Sequence, residues 1–298
     1  MGETTYMERE LSSQPETWRE AAQLAGAAAL PGHGLRVAVV GCGTSWFMAQ
    51  AYAALREAAG LGVTDAFAAS EALLGADRGY DRVLALTRSG TTTEVLRLLE
   101  AVRGRIPTVT VVGDPDTPAV GLSDETVALP FADERSVVQT RFATSALALL
   151  RAHLGGDMAA AARDAEEALT SEMEQEWVDA EQFTFLGAGW TVGLAHEAAL
   201  KMREASQSWT ESYPAMEYRH GPISIAAPGR VTWMFGPSPE GLAAEVARTG
   251  GLFVHHERRD PLAELVLVQR VALARAQARG LDPDAPRSLT RSVMLEAP

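Results

Sequence analysis

The feature that most constrains this chain is a repeated grammar of apolar strand, glycine turn and helix. LRVAVVGCGTS (35–45) is a β-branched run closing on Gly-Cys-Gly, and WFMAQAYAALREAAG after it has helical spacing and ends on Gly60. DRVLALTRSGTTTEVLRLLEAVRG repeats the pattern from Asp81, and IPTVTVVGDPD supplies another strand and turn. The same grammar restarts with FTFLGAGWTVGLAHEAALKMREA at Phe183, followed by RVTWMFGPSPEGLAAEV from Arg230. Strands alternating with helices predict parallel sheets covered on both faces. The expected architecture is α/β with two similar subdomains, 1–155 and 156–298, divided within a helical stretch spanning 140–180. Residues 1–30 read as helical, with a helix starting near Pro15, where proline suits a first turn.

Composition narrows the function classes. A 47% hydrophobic content over 298 residues can fill sizeable cores. The net charge of −13 argues against unassisted binding to nucleic acid or anionic lipid, because no basic excess exists to neutralise phosphates. A small anion can still bind where the local field is positive. One cysteine makes no internal disulfide, no apolar run approaches a membrane span, and 1–25 lacks a signal-peptide pattern, so a cytoplasmic location is expected. Lys201 is the only lysine; every other basic side chain of this class is arginine. Arginine enrichment follows from GC-rich coding, which makes a surviving lysine informative: it is a compact point charge and can lose its proton.

Five hydroxyls, Thr87, Ser89, Thr91, Thr92 and Thr93, crowd around Gly90 where a strand gives way to a helix. Such a loop presents unpaired backbone N–H groups and the positive end of a helix dipole, which attract anions. One hydroxyl would suffice as a helix cap; five point to phosphate. The second copy of the grammar lacks the cluster, so a single asymmetric site is expected. Gly41 and Gly43 begin like a dinucleotide fingerprint, but Trp46 occupies the place of the third glycine, and no Gly-Lys-Ser/Thr phosphate loop occurs. Nucleotide-dependent redox chemistry is disfavoured, and no cofactor is expected.

In GLAHEAALKMREASQSW, Glu197, Lys201 and Glu204 fall at i, i+4 and i+7 on one helix face. Glu197 and Lys201 are expected to pair, leaving Glu204 as a spare carboxylate suited to proton transfer. TESYPAMEYRHGPIS, broken by Pro214 and Pro222, reads as a loop or short helix carrying His220. His255, His256 and Glu257 read as a solvated strand edge, since adjacent strand side chains point apart; no metal site has convincing spacing.

Taken together, GCGTS (41–45), TRSGTTTE (87–94), EAALKMRE (197–204), YRHGP (218–222) and DAPRSLTRSVMLE (284–296) resemble the sugar isomerase (SIS) domain family. The arrangement is similar to the isomerase half of glucosamine-6-phosphate synthase and to related amino-sugar-phosphate deaminases and isomerases. The resemblance implies two flavodoxin-like SIS subdomains and a phosphosugar substrate. Gly43, Thr44, Ser45, Thr87, Ser89 and Thr92 match the phosphate-binding segments, and Arg88 stands where the synthase has glutamine. Glu204 matches the carboxylate that moves a proton between C1 and C2. His220 matches a ring-opening histidine contributed across a homodimer interface. Arg291 replaces a Schiff-base lysine, which an arginine cannot imitate; it and Lys201 remain candidates for orienting nitrogen. The chain has no room for a fused glutaminase, so glutamine-dependent synthesis is not expected. The implied activity is aldose-ketose isomerisation, with or without deamination. A fructosamine-phosphate deglycase or a silent phosphosugar sensor would share most of these residues.

Overall fold

The computed structural model describes residues 4–75 and 78–295. In chain order its elements are α1 (Tyr6–Ser12), α2 (Gln14–Leu24), β1 (Val37–Gly41), α3 (Thr44–Ala58), β2 (Thr64–Ala68), β3 (Arg82–Thr87), α4 (Thr93–Val102), β4 (Thr108–Val112), α5 (Pro118–Leu122) and β5 (Glu125–Ala128). There follow α6 (Arg141–His153), α7 (Met158–Thr170), α8 (Gln175–Asp179), β6 (Gln182–Gly187), α9 (Thr191–Ser206), β7 (Trp209–Pro214), β8 (Arg230–Phe235), α10 (Leu242–Arg248), β9 (Leu252–His255) and α11 (Pro261–Ala278).

The chain forms two compact units. The N-terminal unit takes Glu16–Arg135, Gln139–Met158 and the stretch from Thr290; the C-terminal unit takes the chain up to Pro15, Ser136–Val138 and Ala159–Leu289. Helix α1 thus folds with the second half of the sequence and the tail with the first. One contact fixes the start of α1, and a second fixes Gln14 at the start of α2. Asp284 accepts from the amides of Tyr6 and Met7 at 2.7 and 2.8 Å, a carboxylate satisfying a helix N-terminus. Gln14 Nε2 donates to Gln269 Oε1 at 2.7 Å, fully buried.

The N-terminal unit holds five strands in the order β2-β1-β3-β4-β5, all parallel. The C-terminal unit holds four, β7-β6-β8-β9, also all parallel. Both orders are doubly wound: the first strand sits between the second and third, so the chain leaves it in one direction and returns on the other side. At that reversal the two loops diverge and open a crevice beyond the strand ends, where ligands of such sheets bind. In the N-terminal unit the crevice lies between β1 and β3, paired from Val37↔Arg82 to Val40↔Ala85. The hydroxyl loop therefore emerges at the switch point.

Helix α4 illustrates the packing. Val95, Leu98, Leu99 and Val102, spaced i, i+3, i+4, i+7, are buried in one cluster with Val83 and Ala85 of β3. Each such side chain contributes about 1.5–3 kcal/mol on burial. The stretch 140–180 is three helices rather than one, because Gly155 (φ 84) ends α6 and a second break precedes α8. Thr210–Pro214, expected in a loop, joins β7; proline is tolerated there because β7 is an edge strand.

Two glycines set how tightly strand meets helix. A Cβ on Gly41 would lie 2.6 Å from the Ser45 backbone, and one on Gly187 would lie 2.3 Å from the Thr191 carbonyl oxygen. Gly41→Ala is therefore expected to cost about 1–3 kcal/mol, the usual penalty of overpacking, read as a lower urea midpoint with an unchanged slope.

Candidate active site

In the N-terminal unit, Gly41 lets the first turn of α3 approach β1, and Gly43 (φ 52) turns the chain so that Thr44 and Ser45 start the helix. Both hydroxyl residues are buried, as are Thr87, Arg88 and Ser89 after β3. Gly90 (φ 60) is required: a Cβ there would strike Thr117 Oγ1 at 1.9 Å. The loop is knitted by its own hydroxyls, the Gly90 amide donating to Thr87 Oγ1 (3.2 Å) and the Thr91 amide to Ser89 Oγ (3.3 Å). Thr92 holds the N-cap position of α4 without making a side-chain cap bond, so capping does not account for the cluster. Cys42 is a poor nucleophile, since burial first and Glu94 second push its thiol up to about 11.

The tail of the chain lies along this loop, an arrangement that sequence reasoning missed. Arg88 donates to the Arg291 carbonyl at 2.7 Å, and Thr91 Oγ1 donates to Ser292 Oγ at 2.9 Å. The Thr93 amide donates to the Val293 carbonyl (3.1 Å), and the Leu295 amide to Thr93 Oγ1 (2.9 Å). Arg291 itself turns away to Asp133, gripping both carboxylate oxygens at 2.7 and 2.8 Å, and it also donates to the Glu134 carbonyl. Of the five hydroxyls, Thr91 and Thr93 hold the tail; Thr87, Ser89 and Thr92 remain on the loop, with Ser45 on the adjacent turn.

In the C-terminal unit, α9 presents the acid and lysine row. Lys201 is fully buried; its Nζ lies 3.6 Å from Glu197 Oε1 and also hydrogen-bonds Glu204 Oε2. The expectation that Glu204 stands apart is corrected: i+3 neighbours share a helix face as i+4 neighbours do, and one ammonium has three donors. Glu204 is the partly accessible member, its side chain 19% exposed against 1% for Glu197. It lines a cleft of about 410 Å³ with Arg203, Gln207, Ser208, Arg287 and Ser288. Gln207 (φ 52) and Ser288 (φ 65) are the non-glycine residues with left-handed backbone among those described, and both line this cleft. Gln207 ends α9 in a left-handed cap, with the Ser208 amide on the Met202 carbonyl.

His220 is exposed at the end of a short 3₁₀ segment, Glu217–His220. Tyr218 plants that segment in the core and meets Thr232 Oγ1 at 3.1 Å, while Arg219 grips Glu245 at 2.7 and 3.0 Å. His255 and His256 do point apart, yet His256 is more than a solvated edge: its Nδ1 lies 2.8 Å from the buried carboxylate of Glu264. Among the described residues no group of three metal-ligating side chains converges, and no helix is long and apolar enough to cross a membrane.

No family model matches the chain. Over 296 aligned residues it is 25% identical to a glutamine-fructose-6-phosphate aminotransferase of Sulfurisphaera tokodaii, covering 88% of this chain and 50% of that one. The chain spans about half the length of such curated relatives. A glucosamine-6-phosphate deaminase from Thermotoga maritima matches with a TM-score of 0.82 at 23% identity, covering 98% of this chain and all (100%) of that one. A tagatose-6-phosphate ketose/aldose isomerase from Escherichia coli matches with a TM-score of 0.79 at 20% identity, covering 98% and 96%. The two parallel sheets and their helices are thus the fold of the sugar isomerase (SIS) proteins. Within that class, the chain resembles in sequence the isomerase domain of the aminotransferases.

Two outcomes follow from these contacts. Arg291→Ala removes the grip on Asp133, and the Thr93 and Leu295 amides are expected to exchange hydrogen at least about tenfold faster, the scale of one charge-assisted pair. His196, on α9, has its pKa lowered by burial first and by Arg203 second. The unfolded chain therefore binds a proton that the fold refuses: stability is full above the ordinary value and falls as pH drops from there toward the depressed value. Urea midpoints taken between pH 7.5 and 5 should show that slope flattened in His196→Gln.

Proposed function

We propose that this chain is a phosphosugar enzyme that isomerises an aldose to a ketose and, with a 2-amino-2-deoxy sugar phosphate, releases ammonia without glutamine. The observations that carry the reading are taken one unit at a time: a hydroxyl-lined switch-point loop in the N-terminal unit, and in the C-terminal unit an accessible carboxylate held by a buried lysine. The loop hydroxyls and the N-terminus of α4 suit a phosphoryl group, which accepts several hydrogen bonds and favours the positive helix end. Glu204 suits the proton transfer because Lys201 fixes one oxygen while the cleft leaves the side chain accessible.

The chemistry balances with water alone. In the opened sugar the carboxylate takes the C2 proton as the C1 oxygen is protonated, giving an enolamine; return of the proton to C1, with loss of an N–H proton, leaves an imine at C2. Water adds to that carbon and the C–N bond breaks, leaving ketose phosphate and ammonia. His220 is assigned to ring opening, where an exposed imidazole can shuttle a proton to the ring oxygen. Its exposure fits delivery to a second copy of the chain, which makes a homodimer part of this reading. Arg291 holds the tail on the phosphate loop and is not assigned a chemical step.

Purified protein incubated with glucosamine 6-phosphate should yield fructose 6-phosphate and ammonia in equal amounts. Glu204→Gln should lose at least about 100-fold in kcat, as removal of a general base does, while binding persists. Ser89→Ala should chiefly raise KM. A tightly bound but unchanged hexose phosphate would instead mark a sensor.

A further inference from the structure

The two sheets wind alike but differ in strand number. In the N-terminal unit β4 is bonded to β3 on one side and to β5 on the other. In the C-terminal unit β9 takes the place of β4, beside β8, and among the described residues its outer backbone groups have no ladder partner. The chain passes from β9 to α11 through 256–260 alone, whereas α5 and β5 stand between β4 and α6. The four sheet edges also differ. β2 carries Asp65, β5 carries Glu125, and β7 carries Glu211 and Pro214, side chains of the kind that blunt an edge against further pairing. β9, with the sequence LFVH, has neither a carboxylate nor a proline, and its histidine is turned inward, His255 Nε2 lying 2.8 Å from the Gly236 carbonyl. A groove of about 480 Å³ follows this strand, lined by every residue of 252–256 and by 174–177. Successive strand residues face opposite sides of a sheet, so a hollow touched by five in a row runs along the edge and not over a face.

We infer that this groove receives an extended, basic peptide segment of another protein, which joins β9 as the fifth strand of the sheet. The charge of the walls selects that occupant. At its two ends the groove meets hollows of about 460 and 380 Å³, sharing Leu252 with the first and His256 with the second. Asp164, Glu167, Glu174, Glu176, Asp179 and Glu257 line this course, six carboxylates against the guanidiniums of Arg230, Arg258 and Arg259. Arg259 is held by the buried Glu264 at 2.8 Å, and Arg230 lies 3.9 Å from Glu181. The surplus is negative, in keeping with the net charge of −13. A strand bearing lysine or arginine is therefore drawn in, while the β9 of a second copy, with flanks equally acidic, is repelled. Main-chain hydrogen bonds to the open edge supply affinity, and alternate side chains meeting the acidic wall supply selectivity.

The test uses the full chain and three end-capped nonapeptides: alternating lysine and valine, the same peptide N-methylated at every residue, and alternating glutamate and valine. N-methylation keeps the charge and removes every strand donor. Binding is followed by calorimetry, and its location by backbone hydrogen exchange. The lysine peptide should bind one per chain with a Kd below about 1 mM and slow exchange in 252–255 but not in β7. The N-methylated and glutamate peptides should bind at least about tenfold more weakly, the scale of one or two net hydrogen bonds. Glu174 and Glu176 are exposed, so the double variant Glu174→Gln/Glu176→Gln keeps the fold and should weaken the lysine peptide about three- to tenfold. Equal affinity for the N-methylated peptide, or protection elsewhere than 252–255, overturns the added strand. Protection of 252–255 that grows with protein concentration in the absence of peptide assigns the edge to a second copy and overturns the basic partner. No saturable binding of the lysine peptide up to about 1 mM overturns the site.

Discussion

Parallel pairing of one strand with two neighbours that leave it in opposite directions is the constraint on which each unit depends. β1 is hydrogen-bonded along its length to β2 on one side and β3 on the other, so neither neighbour can be reached by a tight hairpin and each connection must cross a face of the sheet. The crossings go to opposite faces, and the loops at the strand ends part. What the sequence places in those loops is then exposed to ligand without being part of the core. Glycine at Gly41 and Gly90 is the local condition for this, because both positions meet backbone or side chain where a Cβ would stand.

The two units have used that opening differently. In the C-terminal unit Thr191, at the start of α9, directs its hydroxyl to the Phe235 carbonyl (2.9 Å) and accepts from the Ala188 amide (2.8 Å), sewing its own switch point shut. In the N-terminal unit the corresponding region carries more hydroxyls than internal bonding consumes, and part of that surplus binds the tail. The net charge of −13 is no obstacle to an anion there, since the field at the loop comes from the amides at the start of α4 and not from the surface average.

Much of this was legible in the sequence. Apolar strands ending in glycine and helices ending in glycine gave the alternation, and their recurrence gave two similar sheets. The hydroxyl cluster and the spacing of Glu197, Lys201 and Glu204 are local patterns whose period survives folding. Less legible were features that depend on residues distant in the chain. Asp284 reaching α1 and Arg291 reaching Asp133 span 278 and 158 positions, and no local propensity encodes them. Gln207 and Ser288 were invisible for another reason: a left-handed backbone usually announces itself as glycine, and here it does not. The helical stretch over 140–180 was overextended because its alanines favour helix everywhere, while the Gly155-Gly156 pair that divides it is only two residues long.

The single lysine now has a physical account. Lys201 has no exposed surface and touches a carboxylate one turn before it and another after it. An ammonium is a compact charge with three donors arranged about one atom, so it can serve partners on both sides from a narrow stem; a guanidinium needs a plane and room for five N–H groups. Leaving either carboxylate beside an uncompensated buried charge would cost several kcal/mol, about 3–5 by analogy with broken buried pairs. The arrangement is therefore costly to alter at any one of its three positions. It gives the Glu204 side chain a fixed partner on one side and access on the other. The other positions of this charge are arginine, while this one is held to lysine by the space between two helical turns.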